Sequence, residues 1–196
     1  MQSTKEALRQ AALKVAGAEG MQGASVRSIT REAGVTEAVL YRHFTNKEDL
    51  WKDIYAKIVG EMIHDKTELV DADLPLAEKL RRWVDLTYAY YDGNRDAFTY
   101  VLLMPSSYAE SLGEVYTTQS RLLRAVLVSG IRRGSCRELD VDIALAMVAG
   151  LMLGVPRRIN EGTLTGPALL YAEEVAHAMA RVLGCTDKPK AQAGDG

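Results

Sequence analysis

The 196-residue sequence predicts an all-α protein of about nine helices, and three observations lead there. Apolar residues recur three and four apart along most of the chain, the spacing that gathers them on one face of a helix. Ser, Thr, Asp, Gly and Pro stand at the ends of those runs, where helix starts and stops need them. No stretch of useful length alternates apolar with polar residues, so no strand is expected.

The elements follow in order. Ser3 with Glu6 fits a capping box, and Leu8, Ala11, Ala12, Val15 and Ala18 then recur at helical spacing until Gly20 supplies a stop. Ser25 caps a second helix, with Val26, Ile29 and Ala33 inward and Gly34 at its end. Thr36 caps a short third helix. Thr45 with Glu48 forms another capping box, opening a longer fourth helix with Leu50, Trp51, Ile54, Ile58 and Met62 inside. Pro75 starts a fifth, running to about Tyr91, and Asp92-Gly93-Asn94 breaks it. A short helix from Arg95 to Met104 ends at Pro105. Another spans Ser107 to Arg133, Asp140 caps the next as far as Asn160, and the last covers Gly166 to Gly184.

Bulk properties exclude several classes. The net charge of −2 does not by itself suggest nucleic acid. Its distribution says more: seven basic against four acidic residues through Lys47 put that segment at +3 and the remainder at −5. A basic segment on an acidic body hints at an anionic partner. Cys136 and Cys185 share no metal-ligand spacing, so neither a metal site nor a disulfide framework is expected. The polar start and the lack of a membrane-length apolar run make the cytoplasm the expected location, with no membrane partner. No nucleophile–base motif or glycine-rich phosphate loop occurs, so neither catalysis nor a cofactor is expected.

The stretch GVTEAVLYRHFTNKEDL, Gly34 to Leu50, carries the functional reading. Two short helices joined by a tight glycine turn have the arithmetic of a helix-turn-helix. With Ala33, Leu40 and Phe44 facing the core, Thr36, Glu37, Ala38, Tyr41, Arg42 and His43 are left for the outer face. A helix of about eight residues is roughly 12 Å long, close to the width of the B-DNA major groove. The longer stretch SVRSITREAGVTEAVLYRHFTNKEDLW resembles the DNA-binding region of the tetracycline-repressor (TetR) family of bacterial transcription regulators. The likeness lies in Ala33-Gly34-Val35-Thr36, in Leu40-Tyr41-x-His43-Phe44 and in Lys47-Glu48-x-Leu50, and it covers roughly residues 4 to 55. Glu37-Ala38 stands where family members often carry a lysine-glycine pair, which points to an individual operator sequence.

Roles divide by chemistry. Ser25 and Arg27 are placed for phosphates, as is the Tyr41 hydroxyl unless that ring is core. Lys47 sits in the first turn of a helix, where free N–H groups favour an anion, or is a solvated surface lysine. Thr36, Glu37, Ala38 and Arg42 are candidates for base edges. His43 either binds phosphate or packs against the first helix.

The resemblance implies a DNA-binding domain over residues 1–47 and a helical ligand-binding and dimerisation domain over 48–184. The polar tail, residues 185–196, is expected to be flexible. The family implies a dimer on a palindromic operator, and Gly150, Gly154, Leu169, Val175, Met179 and Val182 are the expected dimer residues. It also implies a cavity for a small lipophilic or aromatic effector. Trp83, Tyr88, Tyr91, Phe98, Met104, Tyr108, Tyr116, Met147 and Leu151 are its expected lining, with core packing the alternative for each. The function so implied is a ligand-responsive repressor of transcription. The alternative is a helical small-molecule-binding or scaffolding protein without DNA binding.

Overall fold

The computed structural model describes residues 3–102 and 114–185. Among these residues there are nine α-helices, one short 3-10 turn and no strand: α1 (Thr4–Gly23), α2 (Val26–Ala33), α3 (Glu37–His43), α4 (Lys47–Asp71), α5 (Leu76–Gly93), α6 (Arg95–Leu102), α7 (Glu114–Arg132), α8 (Val141–Asn160) and α9 (Ala172–Leu183). The all-α expectation is met. No helix among the described residues is long and apolar enough to cross a membrane. The described residues divide into two compact units, and the division falls inside α4, between Val59 and Gly60.

The first unit holds α1 to α3, α4 as far as Val59, and α6 from Asp96. Its core is built from Leu8, Ala12, Ile29, Leu40 and Phe44, the helix-period positions of the sequence. The α1 start is tied to α4 through charge. Asp53 accepts from Arg9 Nε at 2.6 Å and lies 2.7 Å from Lys5 Nζ, while Glu6 pairs with Arg9 at 2.9 Å. Burial pushes the Asp53 carboxyl up, but the hydrogen bonds from Arg9 and Lys5 outweigh it and hold it below the usual range. In α6, Tyr100 Oη donates to the Trp51 carbonyl at 3.2 Å, with the two rings 5.0 Å apart.

The second unit holds α4 from Gly60, α5, and the chain from Tyr116 through α9. α9 packs on α5 along Ala172, Val175, Ala176, Met179 and Leu183, one stripe at helical spacing. α7 meets α5 at Gly130, where an added Cβ would lie 2.5 Å from Leu76 Cδ2, so a larger residue would force the Leu76 side chain to shift. Two buried tyrosines of α5 find partners on α8: Tyr88 Oη donates to the Met152 carbonyl at 2.9 Å, and Tyr91 Oη to Asn160 Oδ1 at 2.8 Å. Lys79 Nζ donates to the Val70 carbonyl at 2.7 Å, satisfying an acceptor that the end of α4 leaves open.

Three local expectations are corrected. Thr36 has the extended backbone of a cap but makes no side-chain capping bond. The box that opens α4 sits one residue later than expected: Asn46 Oδ1 accepts from the Asp49 N–H at 2.8 Å, and Asp49 Oδ2 from the Thr45 N–H at 2.9 Å. The short side chains of Asn46 and Asp49 hold both donors, and Glu48 is not needed. The last helix does not start at Gly166. Pro167 disfavours helical backbone before it, and a 3-10 turn over Ala168–Tyr171 intervenes, its N–H groups at Ala168 and Leu169 bound by the Asp92 carboxylate at 2.7 and 3.0 Å. The expected starts and ends that fall in 103–113, and the tail beyond Cys185, lie outside the described residues.

Candidate nucleic-acid interface

α3 has only seven residues, too few to persist alone, so its neighbours hold it. Leu40 is fully buried and Phe44 nearly so, and Lys5 Nζ lies 5.2 Å from the Phe44 ring. The turn before it needs Gly34, whose φ of 69° is the left-handed region that a side chain disfavours. That turn is closed by the Val35 N–H donating to the Thr30 carbonyl at 3.0 Å. Charge suits the helix dipole at both ends, with Glu37 in the first turn and Arg42 and His43 in the last.

Apart from the half-buried Val39, what remains of α3 and its cap faces solvent. Thr36, Glu37, Ala38, Tyr41, Arg42 and His43 are all exposed. Tyr41 is 52 % exposed, so it is not a core aromatic. His43 has the Phe44 ring as a neighbour at 6.4 Å. A short rod held by two buried side chains thus presents six residues outward, mixed in charge and hydrogen-bonding type.

The flanking residues frame that rod. Ser25 caps α2 through a reciprocal box with Ser28, its Oγ accepting the Ser28 N–H at 3.0 Å, while Arg27 extends into solvent from the first turn. Lys47 is half-buried, and its Nζ donates to the Ala24 carbonyl at 3.1 Å, which holds the amine beside the start of α2. It is therefore not a freely solvated lysine. All nine residues read from the sequence as DNA-facing belong to the first unit.

The expected effector residues are divided. Trp83, Tyr88 and Tyr91 are buried in the second unit, where Met147 and Leu151 are half-buried on α8; Phe98 is buried in the first unit. The hydroxyls of Tyr88 and Tyr91 are taken up by α8, as core tyrosines require. Met104, Tyr108 and the side chain of Tyr116 lie outside the described residues. The expected dimer residues divide as well. Gly150 and Leu169 are exposed, and Gly154 and Val182 are half-buried. Val175 and Met179 are buried in the chain's own core, because their stripe of α9 faces α5.

The sequence reading missed Lys66, which is buried, and Leu170, which is 73 % exposed; Ile143, on the apolar helix expected to meet a partner, is 55 % exposed. Lys66 was legible by phase, since it continues the α4 stripe of Ile58 and Met62.

Comparisons with known proteins agree with this geometry. The family described as bacterial regulatory proteins, tetR family, matches residues 8–54. The fatty acid metabolism regulator protein of Bacillus subtilis is 27 % identical over 145 residues, 71 % of this chain and 75 % of that protein. The HTH-type transcriptional repressor KstR2 of Rhodococcus jostii is 27 % identical over 132 residues, 65 % of this chain and 64 % of the repressor. Among solved structures, the transcriptional regulator FadR of Bacillus subtilis in complex with stearoyl-CoA superposes with a TM-score of 0.78 at 22 % identity, covering 88 % of this chain and 96 % of that one. An outward-facing helix, the family pattern over the segment that builds it, and a shared fold along most of the chain lead to one conclusion: residues 8–54 are the DNA-binding segment of the bacterial regulatory proteins of the tetR family, in a chain similar over most of its length to regulators of transcription.

Proposed function

We propose that the chain is a ligand-responsive repressor that binds a palindromic operator as a homodimer in the cytoplasm, with no catalytic role. The observation that carries the reading is the outward display of Thr36, Glu37, Ala38, Tyr41, Arg42 and His43 on α3. Arg27, Ser25, Tyr41, His43 and Lys47 contact phosphates, and Thr36, Glu37, Ala38 and Arg42 read bases. Glu37 can accept from a cytosine amino group, which fits a carboxylate at the start of a groove-entering helix.

The division of labour runs along the chain, with DNA binding in residues 1–47 and effector binding and dimerisation in 48–184. Ile143, Gly150 and Gly154 lie along one side of α8, and the exposure of Ile143 and Gly150 there, with that of Leu169 and Leu170, supports a face for a second copy. The effector is lipophilic. The buried face of α5, with Leu80, Trp83, Val84 and Tyr88, supports this, as does the likeness to a regulator solved with stearoyl-CoA. Its binding weakens operator affinity by about 1–3 kcal/mol of coupling.

Binding of the purified protein to DNA from upstream of its own gene, measured by anisotropy against salt concentration, tests the reading. Affinity should fall steeply with salt, and Arg27→Ala should lower the logarithmic slope by about one. A protein that ignores these duplexes at low salt would instead be a helical ligand-binding protein without DNA.

A further inference from the structure

In its second-unit half, α4 carries a lysine where its apolar stripe should continue. Met62 and Leu69 are buried on that stripe, and Lys66 lies between them with 1 % of its surface exposed. Among the described residues Lys66 Nζ has no hydrogen-bond partner, and no carboxylate offsets its burial. It lies over the face of Trp83, whose ring centre is 5.2 Å away. Trp83 Nε1 is itself buried without a partner among the described residues. One turn before Lys66, Met62 Sδ accepts the side-chain N–H of Gln119 at 3.2 Å, a weak acceptor for an amide. Two buried donors, from α4 and α5, thus lie together with no oxygen acceptor for either among the described residues.

This core satisfies polar groups elsewhere, as the tyrosines on α8 show, so an ammonium left unpaired is not its habit. A methionine would pack at position 66 without the desolvation cost of a charge. Burial also depresses the Lys66 amine to about 7, and perturbed groups of this kind concentrate at binding sites. We propose that this pair is the anion-recognition point of the effector site, where Lys66 pairs with the carboxylate of a lipophilic acid while Trp83 serves as a neutral donor. An ionised carboxylate is acceptor-only and carries one charge, matching one ammonium and one further donor. A phosphate would call for more cations than Lys66 supplies. Leu80, buried on α5 one turn before Trp83, suits the apolar remainder of such an acid.

The assignment rests on the effector reading above, and one set of titrations separates the two. Octadecanoate, methyl octadecanoate and stearoyl-CoA are titrated into the full chain and into Lys66→Met, below their micelle concentrations, with operator affinity read in parallel. The wild type should bind the acid at least tenfold more tightly than the ester. In Lys66→Met the acid should weaken to the level of the ester, the ester should be unchanged, and the melting temperature should rise. Equal binding of acid and ester by the wild type, or acid binding indifferent to the substitution, overturns the proposal. A Lys66-dependent loss for stearoyl-CoA as large as for the acid overturns it too, since the partner would then be an acyl carbonyl. Release of DNA by acid and ester alike keeps the effector reading and sinks the anion site. Lys66-dependent acid binding with operator affinity unchanged does the reverse.

Discussion

The two units depart from the usual partition of side chains in opposite directions. In the first, a helix of seven residues leaves a tyrosine 52 % exposed and buries only what is needed to hold itself in place. In the second, a helix interior encloses a lysine with 1 % exposure and no partner among the described residues. Each departure raises the free energy of the free protein. The first serves a partner that arrives from outside, and the second suits a partner that enters. Misplaced polarity therefore marks recognition in both, and its direction says where the partner sits.

The largest expected effect breaks the first half of that contrast. Leu40→Ala removes the fully buried side chain beneath α3 and should destabilise the protein by about 2–5 kcal/mol, abolishing operator binding with it. Tyr41→Ala, one residue on, should weaken DNA binding while denaturant unfolding stays within about 0.5 kcal/mol of wild type. Equal destabilisation by the two would mean that Tyr41 supports the fold.

Lys66→Met tests the other half. Burial lowers the folded-state amine from 10.5 to about 7. Between those values the unfolded chain binds more protons than the folded one, so wild-type stability should rise with pH across that window. Below about pH 7 the full penalty stands. The variant should lack this slope and gain on the order of a few kcal/mol at pH 6, read from urea midpoints at pH 6 and 10. Parallel slopes for both proteins would remove Lys66 as the unpaired charge.

Paired charges should matter less. Asp53→Asn takes the acceptor from Arg9 and Lys5, groups that remain partly open to solvent, and should cost about 1 kcal/mol near neutral pH. Since the folded Asp53 carboxyl lies below 3.8, its contribution is present above that value and is lost as pH falls through the folded one. The gap between wild type and variant should therefore close in acid.

The smallest effect separates two caps that look alike in sequence. Ser25→Ala should cost about 1 kcal/mol, because its hydroxyl accepts the Ser28 N–H. Thr36→Ala should change thermal stability by less than about half of that, since the Thr36 side chain makes no capping bond. Any large effect of Thr36→Ala should appear in operator affinity.

Legibility followed the range of the interactions. Helix number and order, the glycine turn at Gly34, the caps at Ser3, Ser25 and Asp140, and the outer face of α3 depend on residues within one or two turns of each other. Where a neighbour of similar chemistry competed, as Asn46 did with Thr45, the register slipped by one residue. The hydrogen bond from Lys47 to Ala24 joins residues 23 positions apart and left no local trace.

Periodicity and capping by themselves determined an all-α chain and a short rod whose polar face must look outward, because 3.6-residue spacing fixes which side chains share a face. Only the tertiary structure decided what each face meets. It turned Val175 and Met179 onto α5, left Ile143 uncovered, and buried Lys66 of α4 against Trp83 of α5. Burial and pairing are properties of several helices at once, and no single segment carries them.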